Sequence, residues 1–352
     1  MPGKCSQGRD VRMIRFPAEW EQQSALLIAW PASNGDFGAQ LAEVEQSYCL
    51  IANIVSQRQT LLILYKNPAH RRHITALLGS PSSGIRFLQA EYDDVWVRDT
   101  APLSIIRNNR MQLLNFQFNG WGGRYPCQAD NALNKQLHDQ GLCSDMPMLD
   151  VDMVLEGGSI DSDGQGSLLT TRQCLLNHNR NPGLTIQAIA ARMQQLLGVR
   201  RILWIDQESL AGDDTDAHID TLVRFCTPDS IAYSSCDDEN DLHYSGLACL
   251  AEQLHRLRTL RGRPYQLQAL PLPEAIVNEQ GQRLPANYAN FLLINGAVLV
   301  PVYGNPGDEI ALSRLAVCFP DREVFAIPCR ALLHQYGSLH CMSMHFPQNR
   351  NC

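Results

Sequence analysis

The chemistry-bearing residues of this sequence fall in four short segments where ionisable side chains and glycines interrupt or cap apolar runs, the setting in which strand ends commonly carry reacting groups. In the first, Val95 to Asp99, an extended backbone would put Val95, Val97 and Asp99 on one side and Trp96 and Arg98 on the other. A carboxylate among apolar neighbours needs a cation, so Asp99 either meets a cationic ligand or pairs with a structural arginine. The second segment sets Glu156 before Gly157 and Gly158, residues that permit close backbone approach and left-handed φ; it reads as a ligand-facing turn or a plain one. The third, Gly212 to Thr221, holds His218 and Asp220. In an extended chain they share a side, the spacing for one imidazole and one carboxylate to reach a common ligand. In the fourth, Gly337 to Pro347, Cys341 stands at the head of a late strand. Most cysteines are inert core residues, but beside a histidine and several carboxylates this one is a candidate nucleophile. His340 should face the opposite side of that strand and is not expected to be the base.

Metal chemistry is poorly served. Asp161, Asp163 and Gly164 mimic the start of a calcium loop, but its twelfth position is Arg172 where a bidentate Glu is needed, so a hairpin turn is expected. His218 and Asp220 make an incomplete ligand set, and no cysteines stand at zinc-ligand spacing. No metal or cofactor is expected.

The elements that must position these residues alternate along the chain. Ala25–Trp30, Thr60–Tyr65 and Ile85–Ala90 read as buried strands, with a helix between the first two over 39–55 and another over Pro68–Leu78. Leu184–Leu197 reads as a helix leading to the strand Arg201–Ile205, and Leu242–Leu260 as a helix leading to Tyr265–Leu270. Asn290–Tyr303 reads as a hairpin turned by Asn295 and Gly296, both in left-handed φ, and the helix Asp308–Val317 precedes the strand Glu323–Ile327. Helices thus start near positions 36, 68, 134, 184, 241 and 308, a regularity that suggests stacked βαβ-type modules in one α/β body spanning 1–352.

Composition agrees. The 352 residues are 45% apolar and 18% charged, which excludes disorder and coiled coil, and the formal charge of −7 disfavours nucleic acid. An acidic chain suits a cationic small substrate. No apolar run reaches the roughly 20 residues of a membrane span, and none follows Lys4, Arg9 and Arg12 as a secretory signal would require. Twelve cysteines are too few for a disulfide scaffold, so reduced thiols in the cytoplasm are expected.

Nine motifs in order resemble the agmatine deiminase and bacterial peptidylarginine deiminase family of guanidine-modifying enzymes. They are Phe16 to Glu21 with Trp30-Pro31, Trp96 to Asp99, Phe118 to Gly123, Glu156 to Gly158, His218 to Asp220, Tyr288 to Phe291, Pro301 to Gly304, and His340-Cys341. Departures are a run before Cys341 that keeps one glycine, Met344-His345 after it, and Asp216-Ala217 where many agmatine enzymes have Asn-Gly. The resemblance implies a pentein fold, a five-bladed α/β propeller with its site in a central channel. It implies hydrolysis of agmatine to N-carbamoylputrescine and ammonia, with peptidyl-arginine or another guanidine as the alternative substrate. Carried over residue by residue, it gives Cys341 as nucleophile, His218 as acid and base, Asp99 and Asp220 as the guanidinium grip, and Glu156 as orienter of His218 or a contact of the guanidinium. Trp96 and Trp121 either wall the channel and stack on the cation or simply pack. A homodimer belongs to the same expectation. Remoter alternatives are a non-catalytic binding pentein and a metal-dependent hydrolase using His218, Asp220 and His345.

Overall fold

The computed structural model describes residues 14–79, 83–141, 146–206 and 209–348; the charged residues before Ile14 lie outside it. Among the described residues the strands form five separate sheets of three or four strands each. Each is built on one plan: an antiparallel pair, then a helix, then a third strand parallel to the second. Leu103–Arg107 and Arg110–Gln117 are followed by the helix Gln128–Asp139 and the strand Met148–Val154. Ile160–Ser162, Ser167–Thr171, the helix Ile186–Leu197 and Arg201–Ile205 make the next sheet. Val223–Thr227, Ser230–Ser235, the helix Tyr244–Arg256 and Gln266–Pro271 repeat the plan. Leu292–Ile294, Ala297–Val302, the helix Gly307–Cys318 and Glu323–Pro328 do so again. In the fifth sheet the antiparallel partner comes from the far end: Ser343–Pro347 pairs with Gln23–Ala29, which is followed by the helix Leu41–Ser56 and the parallel strands Thr60–Tyr65 and Ile85–Gln89. A late strand therefore closes the propeller against an early one.

Local chemistry explains the elements. Thr60–Tyr65 is buried on both faces between parallel neighbours, which is why it reads as an unbroken apolar run. The helix Pro68–Leu78 opens with proline in its first turn and with the Asn67 side chain accepting from His70 N, and Gly79 ends it at φ 68°. The helix Leu41–Ser56 buries Val44, Tyr48, Ile51 and Val55 on the side facing its sheet, each burial being worth about 1.5–3 kcal/mol. Asp163 caps the turn between Ile160–Ser162 and Ser167–Thr171 by accepting from the N–H groups of Gln165 and Ser167, the hairpin expected in place of a calcium loop.

Three expectations need correction. The first helix of the Leu103 sheet begins at Gln128, six residues before the position expected from spacing. At the Asn295-Gly296 turn only Gly296 takes left-handed φ, at 71°. Asn295 is instead pinned by its side chain, which accepts from Gln23 N and donates to Gln23 O, tying two sheets together. Finally, neither the Asp99 nor the Asp220 segment is extended. Val97–Thr100 is one helical turn and Ile219–Thr221 one tight 3₁₀ turn, because each must deliver adjacent side chains to different partners. No helix among the described residues is long and apolar enough to cross a membrane.

Candidate active site

A cavity of about 570 Å³ opens between the sheets, walled by Trp96, Trp121, Tyr125 and Tyr336, with Asp99 and Cys341 in its lining. Asp36, Asp93, Asp94 and Asp214 line the same cavity, so its wall is strongly acidic. Asp94 is held up at about 7 by burial and by the charges of Asp36 and Asp214, which outweigh the opposing charge of Lys66.

Gly158 shows how closely the reacting groups approach. A Cβ at this position would stand 2.8 Å from Asp99 Oδ1, 2.8 Å from His218 Nδ1 and 3.0 Å from Asp220 Oδ2. Only a glycine fits between them, and its N–H donates to Asp99 Oδ1 at 2.8 Å. Gly157 is equally confined, since a Cβ there would strike Arg98 O at 2.2 Å. The two glycines after Glu156 thus serve close approach; neither takes positive φ. Asp220 also stands 3.8 Å from Cys341 Sγ. Four of the expected site residues therefore converge, although they come from segments more than a hundred residues apart.

Asp99 does not pair with an arginine. Its carboxylate accepts from Trp121 Nε1 at 2.9 Å and from Gly158 N, and burial together with the charge of Asp220 holds it well above the usual carboxylate range. Arg98, its neighbour on the helical turn, points away toward His340 O at 3.2 Å and His345 Nδ1 at 3.3 Å. Burial alone would push Asp220 up; the hydrogen bond and charge of His340, with His218 and Arg224, bring it below its ordinary value. Burial lowers the His218 pKa to about 3, so its ring is neutral near pH 7; neither ring nitrogen has a hydrogen bond, and Nδ1 stands 3.6 Å from Asp99 Oδ1. Cys341 is a thiol: burial pushes its pKa well up, and the negative charges of Asp220 and Asp99 push the same way.

Glu156 meets Arg180, whose Nε donates to both carboxylate oxygens at 2.9 and 3.1 Å. Arg180 in turn reaches Asp216 at 2.5 Å, and Arg124 holds the other oxygen of Asp216 at 2.5 Å. The Asp216-Ala217 pair, one of the departures in sequence, turns with left-handed φ of 64° at both residues. Glu156, Cys174 and His218 bring one donor atom each within 4.8 Å of one another, the one such trio among the described residues. With the Arg180 guanidinium already on Glu156, the trio does not suit a dication. His345, the third member of the metal alternative, faces Arg98 and joins no such group.

Trp96 packs flat on Gly337, where a Cβ would stand 2.5 Å from its ring, and Trp121 stands edge-on to Phe118 at 4.9 Å. Both tryptophans face the cavity, and Trp121 additionally anchors Asp99.

Sequence reasoning missed three residues. Asn290 donates to Cys341 Sγ at 3.2 Å and accepts from His340 N at 2.9 Å. His340 was expected to face away, yet its Nδ1 stands 2.7 Å from Asp220 Oδ2. Arg180 carried no signal at all. The first two lie inside motifs already noted, Tyr288 to Phe291 and His340-Cys341, which was the only clue.

The sequence pattern of the family described as Porphyromonas-type peptidyl-arginine deiminase matches residues 15–347. The chain belongs to that family. Among its relatives, an agmatine deiminase of Stutzerimonas stutzeri is 29% identical, the match covering 94% of this chain and 95% of the relative. A C. jejuni agmatine deiminase, solved as a cysteine-to-serine variant with substrate bound, is 34% identical with a TM-score of 0.89, covering 99% of both chains. A Porphyromonas gingivalis structure provisionally described as an arginine deiminase is 40% identical, with a TM-score of 0.91 and coverage of 96% and 99%.

Proposed function

We propose that this protein is an agmatine deiminase, hydrolysing the guanidinium of agmatine to the ureido group of N-carbamoylputrescine with release of ammonia. The observation that carries the reading is the convergence of Asp99, His218, Asp220 and Cys341 around Gly158 beside an acid-walled cavity. A guanidinium is planar and permanently cationic, with N–H donors in a fixed fork that carboxylates accept. Asp99 and Asp220 grip it; the unpartnered Oδ1 of Asp220 is free for this. Agmatine carries a second cation at its other end, and the carboxylates of Asp36, Asp93, Asp94 and Asp214 suit it. A peptidyl-arginine has an amide backbone there instead, so the acidic wall favours the small dication.

Arrival of the cation offsets the two carboxylates that keep Cys341 protonated. Neutral His218 takes the thiol proton, and the thiolate attacks the guanidinium carbon. The resulting imidazolium gives that proton to the departing nitrogen, ammonia leaves, and an S-alkylthiouronium remains on Cys341. His218, neutral again, takes a proton from water, which adds to the same carbon. Collapse expels the thiolate, which recovers the imidazolium proton, while the added hydroxyl gives up its proton to the released ammonia and the ureido product forms. Such acid–base assistance contributes about 10²–10⁴-fold. Glu156, held by Arg180, stands within 4.8 Å of the His218 ring and orients it. Trp96 and Trp121 wall the cation, Trp121 also fixing Asp99. The scheme needs no cofactor.

We read 1–352 as one catalytic unit, a homodimer in keeping with the resemblance, and the free thiols as suited to the cytoplasm. The test is to offer agmatine, arginine and an arginine peptide to the purified protein and measure ammonia and ureido product. Turnover of agmatine at least tenfold more efficient than of the peptide is expected; a preference for the peptide overturns the substrate assignment.

A further inference from the structure

Phe16 to Glu21 is among the motifs that the chemistry above leaves unused, and within it Glu19 is buried directly beneath the site. Its Oε1 accepts from Leu293 N at 2.9 Å. Its Oε2 accepts from Arg224 Nη2 at 2.8 Å and faces His340 Nε2 at 2.7 Å. The other ring nitrogen of His340 faces Asp220 Oδ2, also at 2.7 Å. Ionised carboxylates only accept hydrogen bonds, so an imidazole between two of them is placed to donate from both nitrogens. One oxygen of Asp220 is thereby taken and the other left without a partner.

We propose that Glu19 is a positioning residue of the reaction, acting through His340 to fix the orientation and negative charge of Asp220 so that its free oxygen faces the guanidinium. The inference rests on the reading of Asp220 as half of the guanidinium grip. Glu19 touches neither the sulfur nor the cavity; it works two hydrogen bonds away. The charged and titratable groups around this chain are Asp99, His218 and Cys341 on the cavity side, and Arg98, Asp161, Arg224, Arg322 and His345 beneath. Of these, Arg224 and Arg98 hold Glu19 ionised: burial opposes its charge, but they and His340 bring it well below the ordinary carboxylate range. With Glu19 neutral, the Nε2 side of His340 loses its anionic acceptor, its Nδ1 hydrogen bond to Asp220 is held less firmly, and Asp220 becomes easier to protonate.

The test is Glu19→Gln, followed as kcat/KM for agmatine against pH. Its acid limb belongs to the coupled Asp99–Asp220 pair. The expected result is a limb displaced upward by about one pH unit, a loss of about tenfold at acid pH that shrinks toward the plateau. The displacement should reside in KM more than in kcat. A purely structural role would lower the rate by one factor at every pH and leave the limb in place, and that result overturns the proposal. Should Glu19→Gln fail to fold, His340→Gln carries the test, because an amide can still reach Asp220 but cannot relay Glu19 through a ring with two nitrogens; an unmoved limb there overturns it equally. Asp220→Asn is measured in parallel. Unchanged KM in that variant would refute the grip itself, whereas an impaired Asp220→Asn beside an unshifted Glu19→Gln refutes only the role of Glu19.

Discussion

Asp220 is the meeting point of two buried polar clusters with opposite character. Below it, both oxygens of Glu19 are satisfied, by Leu293 N on one and by Arg224 and His340 on the other. Above it, both nitrogens of His218 and the Oδ1 of Asp220 have no hydrogen bond, although all are buried. An unmade hydrogen bond on a buried group costs about 1–3 kcal/mol. The lower cluster leaves Arg98 Nη2 and Arg224 Nε without hydrogen bonds, but each lies beside a carboxylate, Glu19 at 3.7 Å and Asp161 at 3.6 Å, and the cluster acts as scaffold. The upper one leaves an imidazole and a carboxylate oxygen without hydrogen bonds, groups suited to the N–H donors of a guanidinium. The kind of unmet atom separates the two: in the support, guanidinium nitrogens already beside carboxylates; in the site, a carboxylate oxygen and an imidazole.

Four experiments would break or sharpen that contrast. The largest effect belongs to Cys341→Ala, which should lower kcat for ammonia release by about 10⁴-fold or more with an unchanged melting curve; residual turnover near wild type would remove the covalent scheme. Next is the support. Arg180→Met strips the cation from buried Glu156 and Asp216 and should destabilise the fold by about 3–5 kcal/mol in urea denaturation at neutral pH. A loss below 1 kcal/mol would mean that Arg180 is not scaffold.

Asp99→Asn should act in two directions at once. Because burial and Asp220 hold the Asp99 carboxyl above its unfolded value, its stabilising contribution is fully present only at acid pH. That contribution is lost as pH rises through the folded pKa, and above it the ionised group opposes folding. Removing the charge should therefore raise the melting temperature at neutral pH by about 2 °C while raising KM for agmatine about 10–100-fold. A variant both less stable and fully active would place Asp99 with the scaffold. Smallest is Ala217→Gly. A side chain at φ 64° is strained by about 1–2 kcal/mol, part of which glycine returns through its freer unfolded chain. A gain of about 0.5–1 kcal/mol in urea denaturation is expected, with turnover unchanged.

How far the sequence could be read follows the same division. Thr60–Tyr65, Pro68–Leu78 and Arg201–Ile205 fall where their patterns predict, because a twice-buried strand and a capped amphipathic helix carry their signals locally. The candidate nucleophile, base and grip were legible as residue types in ordered motifs. Their geometry was not. Val97–Thr100 and Ile219–Thr221 turn where extension was expected, since their conformation is set by partners such as Gly158, Trp121 and His340 from other sheets. Arg180 illustrates the limit: its role exists only through Glu156 and Asp216, each supplied by a different stretch of chain. The Asn295-Gly296 turn fails for a related reason, as the asparagine answers to Gln23 across a sheet boundary and not to its own hairpin.

Pairing of Ser343–Pro347 with Gln23–Ala29 has a consequence for how the protein comes into being. Translation supplies the first partner about 300 residues before the second. Until then the nascent polypeptide carries an open seam, an edge strand without its mate, and no sulfur at the reaction centre, because Cys341 is made just ahead of the closing segment. Such a long-range closure is intrinsically slow and leaves a partly built chain exposed to strand-to-strand aggregation. Catalytic competence and completion of the ring therefore arrive in one event, and a single proteolytic cut between Tyr336 and Ser343 would undo both.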